Sequence, residues 1–219
     1  RELWYARTDH EAELEQLTWT RDSERWPDFH PSAPKILHEI RNRSTKRSDL
    51  FVFDLEYYEQ QPLIRLEESD EIHPSWSPDG EHFVFLSNKD DPTGRRYDLF
   101  AGRPGDVLFK TLAKGVRVTE RSRGYCWDPE GRFLLFVQDD GTAGYPLAVV
   151  ASDGSQAPRS LELPTRDNQD PDLVVDDAGV AWLAWTAEDT DPRGGRTWRV
   201  VFVTEFPAAA LAGRAGSSN

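Results

Sequence analysis

The sequence has no methionine, one cysteine and no apolar run near the roughly 18 residues that a membrane span requires. Cys126 has no second cysteine to pair with, and we interpret it as a small buried hydrophobic residue. Without an initiator methionine, the chain is expected to be a processed protein or a fragment, so an N-terminal signal or anchor can be absent from it. We predict no transmembrane segment in these 219 residues.

Positive charge is scarce. Lys and Arg number 26 against 39 Asp and Glu, which gives a formal net charge of −13 at pH 7. Nucleic acids and anionic lipid surfaces bind to basic footprints, so this charge argues against nucleic acid as a partner and disfavours binding to an anionic lipid surface by charge. The sequence also has no G-x-S-x-G motif and no P-loop. We predict that the chain is not an enzyme and takes no cofactor.

Acidic pairs and histidines are the residue types that could hold a metal ion. Calcium takes about six to eight oxygen ligands from a loop of defined spacing, which the acidic pairs do not follow. The histidines show no zinc-site spacing. We predict no metal site and leave the acidic pairs open as weak cation sites. The residues concerned are Asp90, Asp91, Asp139, Asp140, Asp189 and Asp191, with His30, His38, His73 and His82.

One motif recurs along the chain. "WSPDGEHFVFLSNKD", from Trp76, aligns with "WDPEGRFLLFVQDDG" from Trp127 and with "VDDAGVAWLAWTAED" from Val175. An earlier, degraded copy starts at Phe29 and has Ala33 in place of the glycine. The intervals are 47, 51 and 48 residues. The glycine of each turn, Gly80 in the best copy, is expected to adopt a positive φ.

A second motif repeats in phase with the first. "DLF" at residues 49–51 recurs at 98–100, and weaker versions occur at 146–148, 198–200 and 2–4. A period in the high forties with strand and turn signals only is typical of a β-propeller whose blades have four antiparallel strands. We name the strands a to d from the inside outward. The outer d strands are predicted at residues 14–20, 61–68, 109–115 and 159–165.

The stretch "HPSWSPDGEHFVFLSNKDD…YDLF" resembles the repeat of TolB-type propellers, which also occurs in the propeller domains of prolyl-oligopeptidase-like enzymes. Residues 74–100 match it closely, 125–148 match it well, and the other units match in outline. The resemblance implies an all-β propeller domain that does no chemistry itself. It also implies a place outside the cytoplasm, in the periplasm or another extracytoplasmic space, with membrane association through a missing N-terminal segment or a partner.

The repeat phase predicts a propeller over residues 1–206. Its parts are a blade fragment at 1–21, blades at 22–68, 69–116 and 117–166, a last blade at 167–206, and a flexible tail at 207–219. The simplest closure joins the first d strand to the last three strands. The ring would then have about five blades, and would be incomplete or part of a longer chain.

Binding residues are expected on the face that carries the b–c and d–a loops, because loops on a rigid scaffold usually hold the binding site. Arginines recur there, and arginine and aromatic residues are favoured at interface centres. They could equally balance nearby carboxylates in solvent. The candidate partner-binding residues are Trp26, Arg41, Arg43, Arg47, Arg95, Arg96, Tyr97, Arg121, Arg123, Tyr125, Arg193, Arg196 and Trp198.

These features favour a non-catalytic protein-binding propeller, a periplasmic scaffold or accessory subunit docking on an envelope lipoprotein or membrane protein complex. The alternatives are a propeller that binds or cleaves a small ligand, peptide or glycan in its central funnel, or the propeller domain of a prolyl-oligopeptidase-like hydrolase. A tight cluster of histidines or carboxylates at the channel mouth would favour the ligand-binding alternative.

Overall fold

The computed structural model describes residues 1–6, 14–119, 122–139, 141, 144–190 and 197–206, and the regular secondary structure of these residues is β-strand throughout. The strands are β1 (Trp4–Ala6), β2 (Leu14–Gln16), β3 (Ser23–Phe29), β4 (Lys35–Arg41), β5 (Ser48–Asp54), β6 (Glu59–Ile64), β7 (Glu71–Trp76), β8 (Phe83–Ser87), β9 (Tyr97–Gly102), β10 (Lys110–Val116), β11 (Tyr125–Trp127), β12 (Phe133–Val137), β13 (Leu147–Ala151), β14 (Arg159–Ser160), β15 (Arg166–Val175), β16 (Ala181–Thr190) and β17 (Thr197–Glu205).

The strands form five sheets in which sequence neighbours are spatial neighbours. β1 and β2 make a two-stranded sheet, β3–β6, β7–β10 and β11–β14 make four-stranded sheets, and β15–β17 make a three-stranded sheet. Pairing is antiparallel along these meanders. This arrangement confirms the predicted all-β architecture of four-stranded antiparallel blades.

The chain divides into two compact units, Arg1–Lys110 and Thr111–Asn219. In the first unit, two apolar clusters lie between sheets. Leu3 and Leu17 pack with Ile36 and Phe53 of the second sheet, and Leu37 and Leu50 of that sheet pack with a group of aromatic residues in the third. Residues 83–86 of β8 are buried on both faces of their sheet, since all four side chains are fully buried.

The second unit is built around one apolar cluster. Phe133 and Leu135 of β12 pack with Leu183 and Trp185 of β16, so the fourth and fifth sheets share a core. Cys126 is partly buried against this cluster, and burial raises the pKa of its thiol. This placement agrees with the interpretation of Cys126 as a small hydrophobic residue.

The turns between a and b strands have one geometry in three repeats. The amide of Gly80 donates to the carbonyl of Ser77 at 2.8 Å, and the corresponding Gly131 and Gly179 amides donate to Asp128 and Asp176 at 2.8 and 2.9 Å. Their φ angles are +74°, +72° and +78°, a region that disfavours residues with a Cβ atom. The positive φ predicted for Gly80 is confirmed.

Two expectations about the outer strands differ from the structure. The last sheet has three strands, so the expected closure, in which residues 14–20 supply its fourth strand, is not the pairing that the structure shows. The strand predicted over residues 159–165 is reduced to the two residues of β14, because proline at 158 and 164 cannot donate to a strand ladder.

Candidate functional site

The b–c loops of the first unit are each fastened to the d–a loop that precedes them in the chain. At the first loop, the Asp22 carboxylate accepts hydrogen bonds from the amide of Arg43 at 2.9 Å and from the Asn42 side chain at 3.3 Å. At the second loop, Asp70 and Asn88 occupy the corresponding places: the Asn88 side chain donates to the Asp70 carboxylate at 3.4 Å, and the Asp70 amide donates to Asn88 Oδ1 at 2.8 Å. The same pair of residue types, an Asp in the d–a loop and an Asn in the b–c loop, therefore fastens both b–c loops.

Asp70 links two neighbouring blades. Its Oδ1 accepts the amide hydrogen of Ser48, at the end of the first b–c loop, at 2.9 Å. Its carboxylate also accepts a hydrogen bond from the Asn88 side chain at 3.4 Å. Burial, together with the charge of Asp70, raises the pKa of Tyr97 to about 12, so this phenol stays protonated at neutral pH.

Asp91 shapes the second b–c loop from within. Its carboxylate accepts hydrogen bonds from the Thr93 hydroxyl at 2.7 Å and from the amides of Arg95 and Arg96 at 2.8 and 2.7 Å. These hydrogen bonds, first that of the Thr93 hydroxyl, lower the pKa of Asp91. The carboxylate is used by the loop itself, which disfavours its use as a cation ligand.

These loops enclose an open groove of about 830 Å³ in the first unit. It is lined by residue 41 and residues 45–47, 66–70, 88–89 and 91–94, which belong to two b–c loops and the d–a loop between them. The lining contains both cationic side chains (Arg41, Lys46, Arg47, Lys89) and carboxylates (Glu67, Glu68, Asp70, Asp91). We call this feature the groove.

Buried polar groups lie in the strands beside the groove. Glu39 accepts a hydrogen bond from the Ser48 hydroxyl at 2.9 Å, and its other oxygen lies 3.4 Å from the amide of His73. Burial is the main cause that raises the pKa of Glu39. The rings of Trp26 and His73 lie in contact, tilted by 50° with centroids 4.3 Å apart, and both residues have a φ of +51° where β3 and β7 are irregular. Backbone irregularities thus recur at corresponding places of the repeat, one at Trp26 and one at His73.

Comparison with solved structures decides the fold. A TolB structure from Agrobacterium tumefaciens, 14% identical, superposes with a TM-score of 0.63 and covers 94% of this chain and 83% of that chain. The chain has the fold of a TolB-like β-propeller. The β-propeller domain of the Trilobed protease from Pyrococcus furiosus is 10% identical, with a TM-score of 0.58 over 83% of this chain and 54% of that one.

A chain of a nidogen/laminin complex is 15% identical, with a TM-score of 0.55 over 85% of this chain and 68% of that chain. At such identities the likeness shows the fold alone. No protein-family model matches the sequence, and no curated protein matches it.

The structure of the TolB-like propeller brings part of the predicted binding set together. Arg41 and Arg47 line the groove. Arg43, Arg95 and Arg96 are exposed on the loops that form its walls. Tyr97 and Trp26 are half-buried and engaged with Asp70 and His73 respectively, so they support the groove rather than line it.

The remaining predicted residues belong to the second unit. Tyr125 is only 4% exposed and lies in the core, so its ring is not presented as a contact surface. Arg123 is half-buried and Trp198 is 47% exposed on β17. Arg121, Arg193 and Arg196 lie outside the described residues.

A charged cluster of the second unit was missed by the sequence analysis. Asp167 forms ion pairs with Arg117 and, at 2.8 Å, with Arg199, while the guanidinium group of Arg117 stacks 3.6 Å from the ring centre of Tyr145. Burial alone would raise the pKa of Asp167, but the hydrogen bond and charge of Arg117 and the charge of Arg199 lower it overall. No motif unites these residues, which come from the two predicted blades at 117–166 and 167–206.

Among the described residues, a group of three potential metal ligands occurs at Asp79, Glu81 and His82, on an a–b turn away from the groove. Asp79 already accepts hydrogen bonds from Ser77 and from the amide of Glu81, and His82 Nε2 accepts one from Arg103 at 2.9 Å. Asp79 Oδ1 and His82 Nε2 are thus already engaged with donors of the protein. Asp140 and Asp191, of the acidic pairs, lie outside the described residues. The part of the chain that the structure describes contains no helix able to cross a membrane.

Proposed function

We propose that this propeller domain is a non-catalytic protein-docking module and that the groove of the first unit receives a segment of its partner. The single observation that carries the proposal is the lining of the groove, which combines four cationic and four acidic side chains around an open space of about 830 Å³. Small-molecule sites are mostly apolar and more enclosed. An open cleft of mixed charge is better suited to an extended polar segment of a protein.

The loops around the groove are held in place before any partner binds. Asp70 ties both walls together through Ser48 and Asn88, and Asp91 fixes the loop that carries Arg95 and Arg96. Because ordering a loop on binding costs free energy, loops that are already ordered favour affinity. The arginine side chains project from this fixed frame.

We further propose that the module works outside the cytoplasm, on an envelope lipoprotein or a membrane protein complex. The resemblance of its repeat to TolB-type propellers supports this location. The similarity of the fold to a chain in a nidogen/laminin complex supports docking on a protein partner. The net charge of −13 argues against nucleic acid as the partner.

Affinity capture from gently solubilised membranes, with identification of co-purifying proteins by mass spectrometry, tests this function. The wild-type chain is expected to retain a partner in stoichiometric amount. The groove variant Lys46→Glu/Arg47→Glu should lose that partner. A control variant, Lys110→Glu/Lys114→Glu, reverses two exposed charges on the outer strand β10 and should retain it. Equal retention by both variants would remove the groove from the docking surface.

A second candidate function is the non-catalytic propeller domain of a prolyl-oligopeptidase-like hydrolase. The likeness to the propeller domain of the Trilobed protease favours it. In that case the propeller would pack against a hydrolase domain, and capture should recover a hydrolase in place of an envelope partner.

A further inference from the structure

The last sheet ends in an unusually long edge strand. In the second and fourth sheets, the third strand (β5 or β13) is followed by a fourth, β6 or β14, at its outer side. The corresponding strand of the last sheet, β17, is nine residues long, and in the described part of the chain it pairs on one side alone, with β16. An edge strand presents a row of backbone donors and acceptors that can pair with another strand.

The middle of β17 lacks the features that usually protect an edge. Residues 200–203 are Val-Val-Phe-Val, without lysine, proline or glycine. Val201 and Val203 are 69% and 62% exposed on one face, and on the other face Phe202 stacks on Trp185 with ring centroids 5.5 Å apart. Long, apolar and unguarded edges favour strand addition.

The sequence of β17 is complementary to itself when it is read antiparallel about Phe202. In that register Phe202 meets its own counterpart, Val201 lies opposite Val203, and Arg199 lies opposite Glu205. Directly opposed residues point to the same face, so both pairs of valines and both charged pairs share the exposed face. In an antiparallel register centred on Val200 or on Val203, Arg199 does not lie opposite Glu205, and Val201 does not lie opposite Val203.

We propose that β17 pairs antiparallel with β17 of a second copy of this chain, which makes a two-fold symmetric dimer with a continuous six-stranded sheet. A two-fold interface requires a surface that complements itself, and β17 supplies one in backbone pairing, apolar contact and charge. Arg199 is already oriented by Asp167 at 2.8 Å, and its guanidinium group has five donors, so it can also pair with Glu205 of the second copy.

The residues that follow β17 are a poorer occupant of this edge. The sequence from 207 to 219, PAAALAGRAGSSN, contains no β-branched and no aromatic residue. Such a composition disfavours a strand. The dimer therefore accounts better for an apolar edge of nine residues.

Sedimentation velocity over two orders of magnitude in concentration tests the proposal on the full chain. The wild type is expected to shift from monomer to dimer as its concentration rises. Val201→Lys/Val203→Lys places like charges opposite one another twice across the interface, and should raise the dimer dissociation constant by roughly tenfold or more. Val201→Lys/Val203→Glu changes the same two exposed side chains but opposes unlike charges, so it should dimerise like the wild type.

Val174→Lys is a third variant; its side chain is 57% exposed on β15, the strand at the opposite edge of the same sheet. It should also dimerise normally. All three variants change exposed side chains, and their melting temperatures should stay near that of the wild type. A wild type that is monomeric at every concentration would overturn the proposal, as would equal behaviour of the two double variants.

Discussion

The imidazole of His30 lies directly against the turn glycine of the next blade, with Nε2 3.0 Å from the carbonyl oxygen of Gly80. A Cβ atom on Gly80 would come within 2.4 Å of His30 Cε1. Two features therefore require glycine at this position: its φ of +74° and the imidazole ring of His30 packed over it. This contact ties the a–b turns of consecutive blades together.

Gly80→Ala should destabilise the protein more than a positive φ alone explains. Strain of this kind costs about 1–3 kcal/mol, and displacement of the ring adds to it. Gly94→Ala is the matched control in the same unit, because Gly94 has a φ of +67° but meets only Asn88 Nδ2 at 3.7 Å. We expect chemical denaturation to show a larger loss for Gly80→Ala, and adding His30→Ala should recover part of the difference. Equal losses at the two glycines would contradict a role for His30.

Asp70→Ala should loosen the walls of the groove. The variant leaves the amide of Ser48 and the side chain of Asn88 without their shared acceptor. Hydrogen bonds to charged groups contribute about 1.5–3 kcal/mol, so the amide of Ser48 should exchange its hydrogen measurably faster. Hydrogen exchange of Ser48 reports this directly. Glu68→Ala, an exposed change in the same lining, should leave its rate unaltered, and an unaltered rate in Asp70→Ala would refute the bridging role.

Glu71 should make the stability of the first unit depend on pH. Its Oε1 accepts hydrogen bonds from the Ser69 and Ser87 hydroxyls at 2.7 and 2.9 Å, while Oε2 is buried with no hydrogen-bond partner among the described residues. Burial, the dominant cause, raises the pKa of Glu71 above its ordinary value of 4.5. The folded state then holds its proton more tightly than the unfolded state, so stability is lost as the pH rises from about 4.5 through the raised pKa.

Glu71→Gln cannot ionise and should escape that loss. The free energy of unfolding of Glu71→Gln, minus that of the wild type, is expected to increase with pH above about 4.5 and then to level off. Denaturant titrations at a series of pH values measure this difference. Glu67→Gln, which changes an exposed carboxylate of the same unit, should show no such rise. A difference that stays constant for Glu71→Gln would mean that its carboxyl group is not desolvated.

Most of the fold could be predicted from the sequence repeat. Turn glycines in register, as at Gly80 and Gly131, and apolar segments such as residues 83–86 are local signals, because the backbone angle and the burial of a strand depend on nearby residues. Closure of the ring is not local, and the pairing of the strands near the two ends of the chain could not be predicted from the turn motifs.

The candidate site was predictable in outline. Arg41 and Arg47 were found because charge on a loop is visible in the sequence. The supporting Asp70 and Asn88 were missed, although comparing loops in repeat register would have revealed them, since Asp22 and Asn42 occupy the corresponding positions. Tyr125 was chosen as an anchor because it is aromatic and close to a loop, but its place at the start of β11 puts its ring in the core.

The cluster of Arg117, Asp167 and Arg199 depends on contacts between blades. These residues lie 50 and 32 positions apart along the chain, and no spacing rule links them. Their proximity follows from how the fourth and fifth sheets pack, which no single repeat determines.

Site-specific photo-crosslinking tests docking in the groove most directly. A photoreactive residue at Thr93 lies in the groove wall, and one at Val107 lies on an exposed turn 89% accessible to solvent. After irradiation in cells, we expect one protein to crosslink at Thr93 and not at Val107, and Lys46→Glu/Arg47→Glu should abolish that product. The same protein crosslinking equally at both positions, or at Val107 alone, would contradict the account.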